Sequence, residues 1–159
     1  MFDQVTSNKR RSALLVAVFV LLVVAVAWAF DLLIGYGVVG LVVALGIALA
    51  SSAVAYWKSD AIALAMSHAR PADEVEHARL HNLVEGLCIA GGLPKPRLYV
   101  IEDDAPNAFA TGRDPKHAAV AVTTGLLAKL DRIELEAVLA HELSHIKNYN
   151  ILVSTLAVT

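Results

Sequence analysis

The sequence predicts an α+β membrane protein in two unequal parts: a two-helix transmembrane hairpin, then a small mixed α/β domain with a short antiparallel sheet. Three observations carry that expectation. Apolar residues make up 57% of the chain and charged ones 18%, against roughly 45–50% and about 25% in ordinary globular proteins. The apolar excess is concentrated in two uncharged runs within the first third. Beyond Lys58 the pattern changes to short segments of helical and strand periodicity, punctuated by proline and glycine.

From Ala13 to Phe30 no charged or strongly polar residue occurs, a stretch that covers about 27 Å as a helix and so spans a bilayer. After Asp31, a second uncharged run reaches Trp57. Spans are therefore expected over 13–30 and 36–57, within an N-terminal unit 1–58. Gly35, Gly37, Gly40 and Gly46 predict a turn at the start of the second run and close helix packing after it. Trp28, Phe30 and Tyr36 gather near the connection, and Tyr56 and Trp57 close the second span, as interfacial aromatic residues do. Lys9, Arg10 and Arg11 precede the first span and Lys58 follows the second, so the positive-inside rule places both ends in the cytoplasm. A cleaved signal peptide, mimicked by Lys9-Arg10-Arg11 and Ala27-Trp28-Ala29, is disfavoured by the long apolar stretch and by the second one directly after it.

A net charge of −2 with scattered basic residues argues against a nucleic-acid partner. The lone Cys88 excludes an internal disulfide, fits a reducing compartment and falls in an apolar helical pattern that reads as core.

Ser59 to Ala69 extends the second span as a helix until Pro71 interrupts it. Val75 to Ala90 reads as an amphipathic helix with Leu80, Leu83, Val84, Leu87 and Cys88 on one face, ended by Gly91-Gly92. Arg97 to Ile101 is a short strand. Asn107–Thr111 and Ala118–Thr123 flank the turn residues Gly112-Arg113-Asp114-Pro115 and predict a hairpin. Asp131 and Glu134 form a capping box that opens a helix whose buried face is Leu135, Val138, Leu139 and Ile146.

That helix carries His141-Glu142-Leu143-Ser144-His145. Histidines four residues apart lie one turn and about 40° apart, so both rings reach a single ion. Glu142 adjoins them, placed to take a proton from a water that zinc makes more acidic and to return it to a leaving amine. The spacing is what metal-assisted amide hydrolysis requires. His77 and His81 share the spacing, but no acid adjoins either one in the general-base position; with Glu74 and Glu85 they read as a solvated stripe. His68 and His117 stand alone as surface residues, and Glu102-Asp103-Asp104 reads as a solvated loop.

With these residues in view, the chain resembles the HtpX family of membrane zinc endopeptidases. The likeness runs through the N-terminal hairpin, Gly92-Leu93-Pro94, Asn107-Ala108-Phe109-Ala110-Thr111-Gly112, Val122-Thr123-Thr124-Gly125-Leu126-Leu127 and Ala140-His141-Glu142-Leu143-Ser144-His145. It implies a zincin-like domain over 59–148 and the start of a third membrane helix over 149–159. It further implies one zinc ion held by His141, His145 and a later glutamate, with Glu142 catalytic, in a multi-pass protein of the inner (plasma) membrane with its catalytic part cytoplasmic.

The implied partners are the lipid bilayer and unfolded or membrane polypeptides, degraded in quality control under stress. The implied substrate-binding edge is the strand of Asn107, Ala108, Phe109, Ala110 and Thr111, where added-strand pairing exposes an extended backbone to the metal. Two departures stand out. The sequence stops at Thr159, ahead of the expected glutamate, as a fragment would. Asn150 stands where the family more often has aspartate, and it is the candidate to support a ligand from behind. The alternative reading is a non-catalytic relative that binds polypeptide without cutting.

Overall fold

The computed structural model describes residues 2–35 and 37–151. Tyr36 and most of the expected third membrane helix lie outside the described residues.

Two long helices open the chain, α1 (Phe2–Ile34) and α2 (Gly37–Met66), and they pack against each other. Gly35 and Gly37 both have positive φ, 74° and 67°, a conformation that glycine adopts without strain. The Asp31 carbonyl accepts the Gly35 N–H at 2.7 Å, and the Asp31 side chain accepts from the Gly37 N–H. Leu14, Leu21, Leu22, Val38, Val39 and Val42 are all exposed. Helices whose outward faces are apolar and meet no other protein suit an apolar medium. Val5–Leu32 and Gly37–Lys58 are long and apolar enough to cross a membrane. Helix α2 runs unbroken past the end of this span to Met66.

The remainder is a four-stranded sheet with helices. Its order is β1 (Arg70–Pro71), β2 (Arg97–Ile101), β4 (Ala118–Thr123), β3 (Ala108–Gly112). The expected hairpin is present, with β3 antiparallel to β4 from Ala108–Val122 to Gly112–Ala118. The expected all-antiparallel sheet is not: β2 runs parallel to β4, Arg97 opposite Ala119 and Ile101 opposite Thr123. The β3 strand is therefore an excursion between two parallel strands, and it ends up on the edge.

Residues alternate between the two faces of a strand, and both faces are covered. Leu98, Val100, Ala118, Val120 and Val122 join the main core with α3 (Ala78–Gly91) and α5 (Arg132–Lys147). Ala119 and Ala121, with Tyr99, Ile101 and Phe109, pack around Leu64 of α2. The extension of the second long helix thus lies on the sheet. Arg97 ties it there by an ion pair with Asp60. Burial pulls the Asp60 carboxyl upward, but the Arg97 guanidinium and backbone hydrogen bonds outweigh it and hold the group below its usual value.

Helix α3 begins later than its periodicity predicts, because Asp73 accepts the N–H groups of Val75 and Glu76 (2.8 and 2.9 Å) and holds residues 74–77 in turns. It ends at Gly92, which is left-handed with φ 65°.

Candidate metal and peptide-binding site

Helix α5 is fixed at both ends. At its start Asp131 accepts the N–H groups of Ile133 and Glu134 at 2.8 and 2.9 Å, and Glu134 accepts from the Asp131 N–H at 2.9 Å, completing the capping box. Leu135, Leu139, Leu143 and Ile146 bury one face. Toward its end Lys147 donates to the Gly91 carbonyl of α3 at 2.9 Å, a cation satisfying an orphan acceptor.

With that stripe buried, His141 is exposed and Glu142 and His145 are half-buried. The two imidazoles meet edge to face, centroids 4.6 Å apart, and their Nε2 atoms are 3.1 Å apart. Two nitrogens each about 2.0–2.1 Å from a tetrahedral zinc stand roughly 3.2–3.4 Å apart, so this donor pair fits a shared zinc ion with little movement. Ser144 donates to the His141 carbonyl at 2.7 Å, within the same helical turn. Among the described residues no group of three or more His, Cys, Asp and Glu side chains gathers around a metal position.

Beyond α5 the chain reverses at Tyr149, whose φ is +58°. The reversal brings Asn150 back beneath the motif, its Nδ2 3.1 Å from His145 Nδ1. Asn8 of α1 reaches the same place. Its amide donates to the Asn148 carbonyl at 2.9 Å and to Asn150 Oδ1. Lys9 lies over the Tyr149 ring, 4.5 Å from its centroid. Sequence reasoning did not single out Asn8, since a polar residue in a polar leader carries no sign that it is buried.

Residues 108–111 of the expected peptide-binding strand lie in β3, at one end of the sheet order and in contact with α5. Asn107 sits just ahead, held by Thr123: the Thr123 N–H donates to the Asn107 carbonyl at 3.0 Å, and the Asn107 N–H donates to Thr123 Oγ1 at 2.9 Å.

The His77/His81 stripe is more enclosed than its pattern predicts. Both are half-buried; His81 Nε2 lies 3.1 Å from the Ala72 carbonyl, and His77 stands at the N-cap position of α3, ahead of the helix, with no capping hydrogen bond from its side chain. His117 is exposed and bonded to Asp114 at 2.8 Å. Cys88 is buried; desolvation pushes its thiol up, which leaves it a poor nucleophile.

A family model described as Peptidase family M48 matches residues 74–159. The chain is similar to "Protease HtpX homolog" of Thermoanaerobacter pseudethanolicus (strain ATCC 33223 / 39E), 43% identical over 156 residues, covering 98% of this chain and 52% of the relative. It is likewise similar to "Protease HtpX homolog" of Streptococcus pneumoniae (strain Taiwan19F-14), 46% identical over 159 residues, covering 99% of this chain and 53% of that protein. The chain spans about half the length of the curated relatives it matches.

Proposed function

The chain belongs to peptidase family M48, and from that membership we propose that it carries the catalytic helix of a membrane-anchored zinc metalloendopeptidase. The single observation behind the metal is the convergence of His141 and His145, with Nε2 atoms 3.1 Å apart and Glu142 on the same turn. In this reading His141 and His145 supply two of the three protein ligands that catalytic zinc takes. When bound, zinc contributes Lewis acidity toward a water and a carbonyl oxygen. Glu142 takes the proton from the attacking water and returns it to the departing amine.

The substrate is an unfolded or membrane polypeptide laid as an added strand along Asn107–Thr111. Main-chain hydrogen bonds then hold it with little regard for side chains, the selectivity that quality control of damaged membrane proteins asks for. The lipid bilayer receives α1 and α2, with Lys9, Arg10, Arg11 and Lys58 on the cytoplasmic side.

Glu142→Gln tests the chemistry in the protein purified in detergent. Gln keeps the shape and removes the base, so cleavage of a denatured protein should fall by roughly 10²–10⁴-fold while zinc is retained. Unchanged cleavage rejects the role given to Glu142. The second reading, a relative that binds polypeptide without cutting, is favoured by Asn150, which presents an uncharged amide to His145 Nδ1 where a carboxylate would support a ligand more strongly. It predicts retention of the denatured protein by the wild type with no cleavage at any zinc concentration.

A further inference from the structure

We propose that Asn8, on the first membrane helix, is a positioning residue for the metal site: it decides which atom of Asn150 faces His145. The proposal rests on the zinc reading above, and it follows from matching donors to acceptors.

Asn8 is 8% exposed. Its Nδ2 faces the Asn148 carbonyl at 2.9 Å. A carbonyl only accepts, so the orientation of the Asn8 amide is settled by chemistry. The same nitrogen donates to Asn150 Oδ1. A primary amide carries its oxygen and its nitrogen on opposite sides, and here the oxygen is turned toward Asn8. Asn150 is left to present Nδ2 to His145 Nδ1, 3.1 Å away. The ring nitrogen receiving that bond is an acceptor, so the proton of neutral His145 sits on Nε2, which donates across 3.1 Å to His141 Nε2. Donors and acceptors match in a single direction, from Asn8 through Asn150 and His145 to His141.

Ligation through Nε2 needs the opposite arrangement: a free lone pair on Nε2, the proton on Nδ1 and an oxygen facing it. Asn150 cannot offer its one oxygen squarely to both Asn8 and His145. A carboxylate at 150 would, since it has two. Asn8 therefore weakens metal binding by His145 when residue 150 is asparagine and becomes compatible with it when residue 150 is aspartate. The packing of α1 against the Tyr149 turn is in this way linked to metal affinity.

The test uses detergent-purified protein and two measurements. The ¹⁵N shifts of the His145 ring in metal-stripped protein report its tautomer, and competition with a chromophoric chelator reports zinc affinity. Asn8→Leu and Asn8→Ala both remove the donor, at two side-chain volumes, and release the Asn150 oxygen to turn toward His145. Both should raise the share of the Nδ1–H form and tighten zinc by about three- to tenfold, the equivalent of one net hydrogen bond. Asn150→Asp should tighten it as well, and in that background Asn8→Leu should give no further gain.

Unchanged ring shifts in both Asn8 variants overturn the proposal, even if melting temperature falls, because that is a purely structural effect. Weaker zinc binding in both overturns it too. Should no form bind zinc at all, the metal reading fails while the ring shifts still decide the role of Asn8.

Discussion

Truncating Leu139 to alanine tests whether the site helix is held by its buried stripe. Leu139 is 0% exposed, within the cluster that joins α5 to α3 and the sheet. Removing its side-chain carbons forfeits about 2 kcal/mol of transfer free energy, and the cavity left behind adds to that at roughly 24 cal/mol per Å³. The expected loss is about 3 kcal/mol, near the lower end of measured Leu→Ala changes. For a unit of this size each kcal/mol moves the melting temperature by about 4–8 °C, so the shift should be roughly 12–24 °C.

The assay is near-UV circular dichroism against temperature in detergent, which follows tertiary packing of the sheet unit. Ile133, 78% exposed on the same helix, is the internal control, and Ile133→Ala should stay within about 0.5 kcal/mol of wild type. A Leu139→Ala loss below about 1 kcal/mol, or equal losses in the two variants, would refute the packing of α5 against α3 and the sheet.

Other perturbations probe different contacts. Asp131→Ala should cost about 1 kcal/mol of stability, and adding Glu134→Ala should cost less than it does alone, because the two form one reciprocal cap; strictly additive losses would contradict it. Gly125→Ala should destabilise by more than about 2 kcal/mol, since its Cβ would stand 2.2 Å from the Asp104 carbonyl oxygen and 2.4 Å from its carbon; an unchanged melting temperature would mean that loop is placed elsewhere. The depressed Asp60 carboxyl contributes stability that is complete above its ordinary pKa of 3.8 and is lost as pH falls from there through the lower folded value. Wild type should therefore lose more stability than Asp60→Asn between pH 5 and pH 3, and parallel curves would show that the Arg97 pair does not hold α2 to the sheet.

What could be read from the residues was local. The bounds of β2, the β3–β4 pairing, the cap of α5 and the buried face of α3 are each written within a few neighbouring residues: proline and acid bracketing Arg97–Ile101, turn residues between alternating runs, Asp131 with Glu134. The parallel β2–β4 pairing was not legible, because it joins Arg97 to Ala119 across an intervening strand and leaves no mark on either segment. The start of α3 was misplaced because Asp73 competes for the backbone through its side chain, which an apolar period does not register. The HExxH spacing identified His141, Glu142 and His145 as candidates. The residues behind them divide: Asn150 was visible as a neighbour in sequence, whereas Asn8 reaches the site only through tertiary folding.

That last contact joins positions 142 residues apart. A ribosome adding about 5–20 residues per second needs roughly 7–30 s to pass from one to the other. On the proposed membrane placement, α1 is made, inserted and set at its depth in the bilayer before the helix bearing the histidines exists. The order of manufacture makes the first helix a fixed stage on which the later segment bearing Asn150 must land, so the depth at which α1 settles bears on the meeting of Asn8 and Asn150.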